Sequence, residues 1–164
     1  MKILVLSDSH SGLSFMRRCV RAVRPDTIIH LGDYFDDAEV IAQENPHLVV
    51  HRVPGNCDLY HGYYHEPQVL CYDVFGVRLY MTHGHKHSVK SGLYALLRDA
   101  RKNQAKAALY GHTHIADCHL EDDMWVLNPG SCGSYHGSCG VMEIENGKIA
   151  ACYILRQADL EEML

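Results

Sequence analysis

Five short polar motifs, each at the end of an apolar run, constrain the fold of this chain more than any other feature. The apolar runs span residues 3–6, 27–31, 48–53, 77–81 and 107–110, and such runs are typical of strands buried on both faces. The motifs that follow are Asp8-x-His10, Gly32-Asp33, Gly55-Asn56, His83-Gly84 and Gly111-His112-x-His114. In open α/β sheets, ligands bind beyond the carboxyl ends of the strands, so distant residues can converge there.

The remaining pattern predicts an α/β chain with helices early and strands late. Apolar residues recur at helical spacing over 13–23 and again from 38 to 42, between the first three strands, which makes βαβ units. A hairpin is expected around Gly76, and a helix over 89–100 with Ser88 as its N-cap. Alternating strands follow at 115–120 and 124–127, and Asn146-Gly147 predicts a second hairpin.

Length and composition indicate one globular domain over residues 1–164. The chain is 47% apolar and 21% charged, and a chain of this length can bury enough surface to fold without disulfides or a structural metal. A metal would therefore serve chemistry. The net charge is −5 with no basic block, which argues against extended nucleic acid as a partner.

Neither a signal peptide nor a membrane span is predicted. The first residues form a short apolar run that ends in a carboxylate, which is typical of a strand, and no run approaches the roughly 20 apolar residues of a membrane helix. The chain has seven Cys without CxxC spacing, an odd number that suits a reducing compartment. We therefore expect a cytoplasmic protein.

The polar motifs offer a metal-ligand set of mixed oxygen and nitrogen donors. Two Asp, one Asn and four His suit borderline divalent ions rather than calcium. Seven ligands exceed the needs of one ion with an open position, whereas two ions about 3.5–4 Å apart can share a carboxylate, for which Asp33 is the candidate. The predicted ligands are Asp8, His10, Asp33, Asn56, His83, His112 and His114.

In this order, the motifs resemble those of the calcineurin-like metallophosphoesterase superfamily. The Gly55-Asn56-Cys57-Asp58 variant and the turn Asn128-Pro129-Gly130-Ser131 are most similar to its compact YfcE-type phosphodiesterase branch. The resemblance implies a layered α/β sandwich of two mixed β-sheets flanked by helices. It also implies metal-dependent hydrolysis of small phosphodiesters through a dinuclear metal centre and a metal-bridging hydroxide.

The resemblance assigns roles to individual residues. It implies that Asp8, His10 and His114 hold one ion, that Asn56, His83 and His112 hold the other, and that Asp33 bridges them. Mn²⁺ is the first expectation for both ions, with Ni²⁺, Co²⁺, Fe²⁺ or Zn²⁺ as alternatives. The residues expected to act on the substrate are Cys57, Asp58 and His85, together with Asn56, which is also a predicted metal ligand.

Cys57 departs from the family pattern, because many phosphatases of the superfamily carry His after the Asn. A thiol titrates near 8.5 and hydrogen-bonds weakly, so it is a poorer acid at neutral pH than an imidazolium. This favours phosphodiesters, or aryl esters with good leaving groups, over alkyl monoesters. Asp58 is expected to orient a neighbour of the site, and His85 either to contact substrate or to stabilise its turn.

Several alternatives stay open at this point. The segment 59–65, rich in Tyr and His, fits a wall of the substrate pocket, a subunit interface of a homo-oligomer, or a surface loop. His30 is expected to be a hydrogen-bonded core residue, and Ser131 to be structural because it lacks a paired base. A non-catalytic binding scaffold and a nuclease or nucleotide phosphodiesterase are the alternative functions; intact ligands favour the enzyme over the scaffold.

Overall fold

Strands and helices alternate in the first half of the chain, and strands dominate the second half. The computed structural model describes residues 1–164. Its elements are β1 (Lys2–Leu6), α1 (Leu13–Val23), β2 (Thr27–His30), α2 (Phe35–Glu44), β3 (Val49–Arg52), α3 (Asn56–Leu59), β4 (Val69–Val74), β5 (Val77–Thr82), α4 (Tyr94–Lys102), β6 (Ala107–Leu109), β7 (Asp117–Glu121), β8 (Met124–Asn128), β9 (Ser138–Glu145), β10 (Lys148–Arg156) and α5 (Gln157–Met163). The expected distribution of helices and strands is confirmed.

The ten strands form two mixed sheets of five strands each. The first sheet has the order β10-β9-β1-β2-β3, in which β1, β2 and β3 are mutually parallel and β9 is antiparallel to β1. The second has the order β4-β5-β6-β8-β7, with β5, β6 and β8 parallel. The predicted sandwich of two mixed sheets flanked by helices is therefore confirmed.

The side chains of β1 are buried on both faces of the strand, which places β1 at the centre of the fold. Ile3 and Val5 point into the core between the two sheets, whereas Leu4 and Leu6 point into a second core beneath the helices. All four are 0% exposed. Successive side chains of a strand point to opposite faces, so a continuous apolar run is buried only when both faces are covered.

Helices cover the outer face of each sheet. Met16 of α1, Ile41 of α2 and Leu160 of α5 pack on the first sheet, and Leu96 and Leu97 of α4 pack on the second. The result is four layers in the order helix, sheet, sheet, helix. None of these helices combines the length and apolar character needed to cross a bilayer.

The helix expected over 89–100 begins later than predicted. Residues 89–91 form a separate 3₁₀ turn, Gly92 has φ +132°, and α4 starts only at Tyr94. Ser88 has φ +51° and makes no capping hydrogen bond, so its predicted role as the N-cap is wrong. The apolar spacing of Val89 and Leu93 is helical, but Gly92 interrupts the helical backbone between them.

Candidate metal centre

The five polar motifs meet at the carboxyl ends of strands from both sheets. The loop after β1 carries Asp8 and His10, the loop after β2 carries Asp33, and α3, which follows β3, begins at Asn56. The loop after β5 carries His83, and the loop after β6 carries His112 and His114. Four of these residues, Asp8, His10, Asp33 and His114, bring one ligand atom each to within 4.8 Å of one another. Residues more than one hundred positions apart in sequence thus share one site.

The remaining predicted ligands lie beside this cluster. Nε2 of His83 is 3.1 Å from Asn56 Oδ1, 3.5 Å from Asp33 Oδ2 and 3.8 Å from Asp8 Oδ1. The ring of His112 is 5.0 Å from that of His83, measured between centroids. Asp33 lies next to both groups, since it belongs to the four-residue cluster and also faces His83.

The buried polar atoms of the cluster fit a cation. Oδ1 of Asp8 and Nε2 of His10 are both buried and have no hydrogen-bond partner. Oδ1 of Asp8 is 3.0 Å from His114 Nε2, yet the two atoms make no hydrogen bond. A buried polar atom without a partner costs about 1–3 kcal/mol, and a bound cation would remove that cost. Carboxylate, imidazole and amide donors are suited to borderline divalent metals.

Hydrogen bonds from neighbouring groups orient the candidate ligands. Oδ2 of Asp8 accepts from Ser7 Oγ at 2.5 Å and from the backbone N–H of His112 at 3.1 Å. Nδ1 of His83 lies 2.7 Å from the carbonyl oxygen of Leu31, which accepts its proton and leaves the lone pair on Nε2 facing the site. Such outer partners fix the orientation and tautomer of metal ligands.

Asp33 is held as a carboxylate despite its burial. Burial on its own would raise its pKa, but the nearby His83 and the hydrogen bond from the Cys57 N–H outweigh that effect, so the pKa of Asp33 is lowered. The Cys57 N–H donates to Asp33 Oδ1 at 3.0 Å. This bond also ties the loop after β2 to α3, which carries Asn56.

Backbone strain is concentrated at the candidate ligands. Five of the seven, Asp8, His10, Asp33, His112 and His114, have φ between +41° and +70°, in the left-handed region that non-glycine residues rarely adopt. Each such residue costs roughly 1–3 kcal/mol and persists only when the surrounding structure enforces it. Strain of this kind clusters at functional sites, and here it aims the side chains inward.

Cys57 and Asp58 lie on α3 but differ in their surroundings. Burial, followed by the charge of Asp33, raises the pKa of the Cys57 thiol to about 11, so the thiol is protonated at neutral pH. The carboxylate of Asp58 accepts from the N–H of Phe35 at 2.8 Å and from that of Gly55 at 2.7 Å. Both of its oxygens are occupied by backbone donors, so its contribution to the site is positional.

His85 adjoins the imidazole groups of the site. Its Nε2 is 3.1 Å from Gln68 Oε1, which accepts its proton, and its Nδ1 is buried without a partner. Burial, and then the charges of His83 and His112, lower the pKa of His85 to about 4. It is therefore neutral at pH 7, and the hydrogen bond of Nε2 to Gln68 stabilises the turn after β5.

The tyrosines of the segment 59–65 differ in their exposure and contacts. The Tyr63 ring packs 4.6 Å from that of Phe35, and its hydroxyl donates to Asp36. Tyr60 is 90% exposed and Tyr64 62% exposed. Tyr63 therefore fixes the segment to α2, whereas Tyr60 and Tyr64 face solvent.

Residues outside the candidate ligand set also support the site. Nδ2 of Asn128 donates to Gly111 O at 3.2 Å and to Thr113 Oγ1 at 2.9 Å, which holds the loop that carries His112 and His114. The Ser131 hydroxyl donates to the Asp8 carbonyl at 2.8 Å, a structural role as predicted. Tyr34 places its ring 5.0 Å from that of His10, edge to face. The sequence signal for the contact between Tyr34 and His10 is that Tyr34 directly follows Asp33.

His30 is a buried, neutral residue beneath the site. The Gly32 N–H donates to its Nδ1 at 3.3 Å, so its Nε2 carries the proton and donates to Ser9 Oγ at 3.0 Å. Burial, and then the nearby His83, lower the pKa of His30 from 6.5 to about 3. This agrees with the expectation of a hydrogen-bonded core histidine.

His30 should make the protein less stable in acid. Its folded pKa lies below its unfolded pKa, so the unfolded chain binds the extra proton between pH 6.5 and about 3. The contribution to stability is complete above pH 6.5 and falls by up to about 1.4 kcal/mol per pH unit down to about pH 3. Urea unfolding of chelator-treated protein should show a shallower pH slope in His30→Asn. If the pH dependence of the free energy of unfolding is the same in His30→Asn, His30 does not cause the loss of stability in acid.

Comparisons with known proteins agree with this geometry. A family model described as the calcineurin-like phosphoesterase superfamily domain matches residues 1–147. A protein of Methanocaldococcus jannaschii named Phosphodiesterase MJ0936 is 28% identical over 154 residues, covering 82% of this chain and 86% of the relative.

Solved structures share the fold over nearly the whole chain. A Streptococcus pneumoniae protein described as a predicted phosphoesterase has a TM-score of 0.71 at 22% identity, covering 95% of this chain and 97% of the other. Vps29 of Chaetomium thermophilum has a TM-score of 0.78 at 17% identity, covering 95% and 90%. From the five motifs, the shared architecture and the matching family model, we conclude that this chain belongs to the calcineurin-like phosphoesterase superfamily.

Proposed function

We propose that this protein is a metal-dependent phosphodiesterase that hydrolyses small phosphodiesters at a dinuclear centre. The observation that carries the proposal is the cluster of Asp8, His10, Asp33 and His114, in which two buried ligand atoms, Asp8 Oδ1 and His10 Nε2, have no hydrogen-bond partner. The name of the Methanocaldococcus relative supports the same reaction class. The intact ligand set favours catalysis over a scaffold role.

Two groups of residues would hold the ions, with one residue shared between them. Asp8, His10 and His114 would bind one ion, and Asn56, His83 and His112 the other, with Asp33 common to both. Bound there, divalent ions would supply a hydroxide nucleophile at neutral pH and neutralise the charge that develops on the phosphoryl oxygens. Mn²⁺ is the first ion to test.

The chain itself contributes orientation and proton control. The Ser7 hydroxyl and the His112 N–H fix the Asp8 carboxylate, and the Leu31 carbonyl fixes the tautomer of His83. His85 is neutral at pH 7, and its hydrogen bond to Gln68 Oε1 holds the turn that follows His83. Cys57 stands at the position where many phosphatases of the superfamily carry His. No imidazolium is therefore available there to donate a proton to the leaving group.

Metal dependence is the first test of this proposal. Protein stripped with a chelator should hydrolyse bis(4-nitrophenyl) phosphate at least about 100-fold more slowly than protein resupplied with Mn²⁺, and elemental analysis should approach about two ions per chain. Both readings are needed, because binding without turnover would favour the scaffold. Turnover that persists at full rate after complete metal removal would contradict the mechanism.

Cys57→His should shift the substrate preference toward monoesters. A thiol with a pKa of about 11 is a poor proton donor to a leaving alkoxide, whereas a general acid of matched pKa contributes roughly 10²–10⁴-fold. We expect the ratio of alkyl monoesterase to diesterase activity to rise by at least about 10-fold. Released phosphate and released 4-nitrophenol measure the two activities separately.

Cys57→Ser is the matched control, since it removes the thiol without adding an imidazole. It should leave the activity ratio near that of the unaltered protein. If Cys57→His binds metal normally and the ratio still does not rise, the weak acid at this position is not what sets the preference.

A further inference from the structure

Two thiols face each other across the gap between the sheets. Cys118 lies on β7 and Cys152 on β10, and their Sγ atoms are 3.4 Å apart. They belong to different sheets, because β7 is the last strand of the second sheet and β10 the first strand of the other. Both are free thiols.

The side chains of both cysteines point into the space between the two sheets. Cys118 pairs across the strands with Leu127, and Cys152 pairs with Met142. Leu127 and Met142 are both 0% exposed in the core between the sheets, and the two cysteines pack against that core from its open edge. Opposed residues of neighbouring strands share a face, so both cysteine side chains point into the gap.

We propose that Cys118 and Cys152 are a covalent modification site at which a low-molecular-weight disulfide, such as glutathione disulfide, produces an intersheet disulfide bond. A disulfide requires the sulfurs to approach to about 2.0 Å. The sulfurs are already in contact, so the remaining approach is of the size that side-chain rotation and small strand shifts provide. Both residues are only half-buried, which gives a small oxidant access to the pair.

The surroundings also suggest the order of reaction. The hydrogen bond with Cys152 lowers the pKa of the Cys118 thiol, against the effect of burial, and the same hydrogen bond raises the pKa of Cys152. Since the thiolate is the nucleophile in thiol–disulfide exchange, Cys118 is the attacking residue and Cys152 the resolving one.

The disulfide would form in two successive thiol–disulfide exchange steps. The Cys118 thiolate attacks one sulfur of glutathione disulfide, which breaks the glutathione S–S bond, forms a mixed disulfide and releases one glutathione thiolate. Cys152 then loses its proton and attacks the Cys118 sulfur, which releases the second glutathione. The two protein thiols give up two electrons, and glutathione disulfide is reduced to two glutathione molecules.

The test uses the full-length protein incubated with glutathione disulfide, followed by alkylation of free thiols and peptide mapping. Digestion with trypsin and a glutamyl endopeptidase separates Cys118 from Cys132 and Cys139, because Glu121 lies between them. We expect a peptide pair that joins Cys118 to Cys152. Cys152→Ala should instead retain one glutathione on Cys118, because the resolving thiol is gone.

Thermal unfolding gives a second, independent reading. The bond would close a loop between residues 34 positions apart and should raise the Tm of the oxidised protein by roughly 5–10 °C, reversibly with reductant. Cys152→Ala should show no such rise. Cys71→Ala is the matched control, because Cys71 is another half-buried cysteine of the second sheet without a thiol partner, and it should behave like the unaltered protein.

Either of two results would overturn the proposal. One is that both thiols stay open to alkylation after denaturation of the oxidised protein, which would mean that the pair only packs. The other is that Cys118 forms a persistent glutathione adduct, or a bond to a cysteine other than Cys152, in the unaltered chain.

Discussion

Asp33→Asn should lower metal occupancy and turnover together, with turnover reduced by more than about 100-fold. Loss of a mere outer partner of a metal ligand costs roughly 10–100-fold, so loss of a shared ligand should exceed that range. Asp33 is central because its carboxylate belongs to the four-residue cluster and lies 3.5 Å from His83 Nε2. Elemental analysis and diesterase kinetics at saturating Mn²⁺ measure the two effects.

Asp36→Asn is the control for this variant. Asp36 lies three positions further along the same segment, is exposed, and accepts a hydrogen bond from Tyr63 rather than facing the cluster. It should keep its ions and its activity. Full activity of Asp33→Asn with both ions retained would contradict the bridging role.

Gly55→Ala should disable the site while leaving most of the fold intact. An added Cβ would lie 2.1 Å from Asp33 Oδ1 and 2.4 Å from the Asp33 backbone nitrogen, so the loop after β2 must move. Overpacking of this kind costs about 1–3 kcal/mol of stability. A displacement of about 1 Å at a reacting centre can cost on the order of 100-fold in rate, and we expect kcat/KM to fall by that amount.

Urea unfolding and diesterase kinetics test this expectation, with Gly62→Ala as the comparison. Gly62 has φ +98° but nothing within 4 Å of an added Cβ, so its substitution carries only a backbone cost of about 1 kcal/mol. Its activity should stay near that of the unaltered protein. An active Gly55→Ala protein with normal metal content would show that the close contact with Asp33 is not required.

Local sequence was sufficient to predict most of the strands and helices. The run from Ile3 to Leu6 is apolar on both faces of the strand, which is stable only inside a layered sheet. Asn146-Gly147 forms the expected tight turn, with φ of +51° and +72°. The start of α4 was missed because apolar spacing at Val89 and Leu93 reports which face is buried but not whether the backbone stays helical through Gly92.

The sequence also determined which residues are candidate ligands, because Asp, Asn and His placed directly after strands have few other reasons to recur in that position. Tertiary structure alone decided how they meet. The contact of Asp8 with His114, the support from Ser7 and Asn128, and the pairing of Cys118 with Cys152 depend on how the sheets stack and on how loops turn through left-handed backbone. Periodicity along one strand specifies its buried faces, but it holds no information about which residue of another sheet lies opposite.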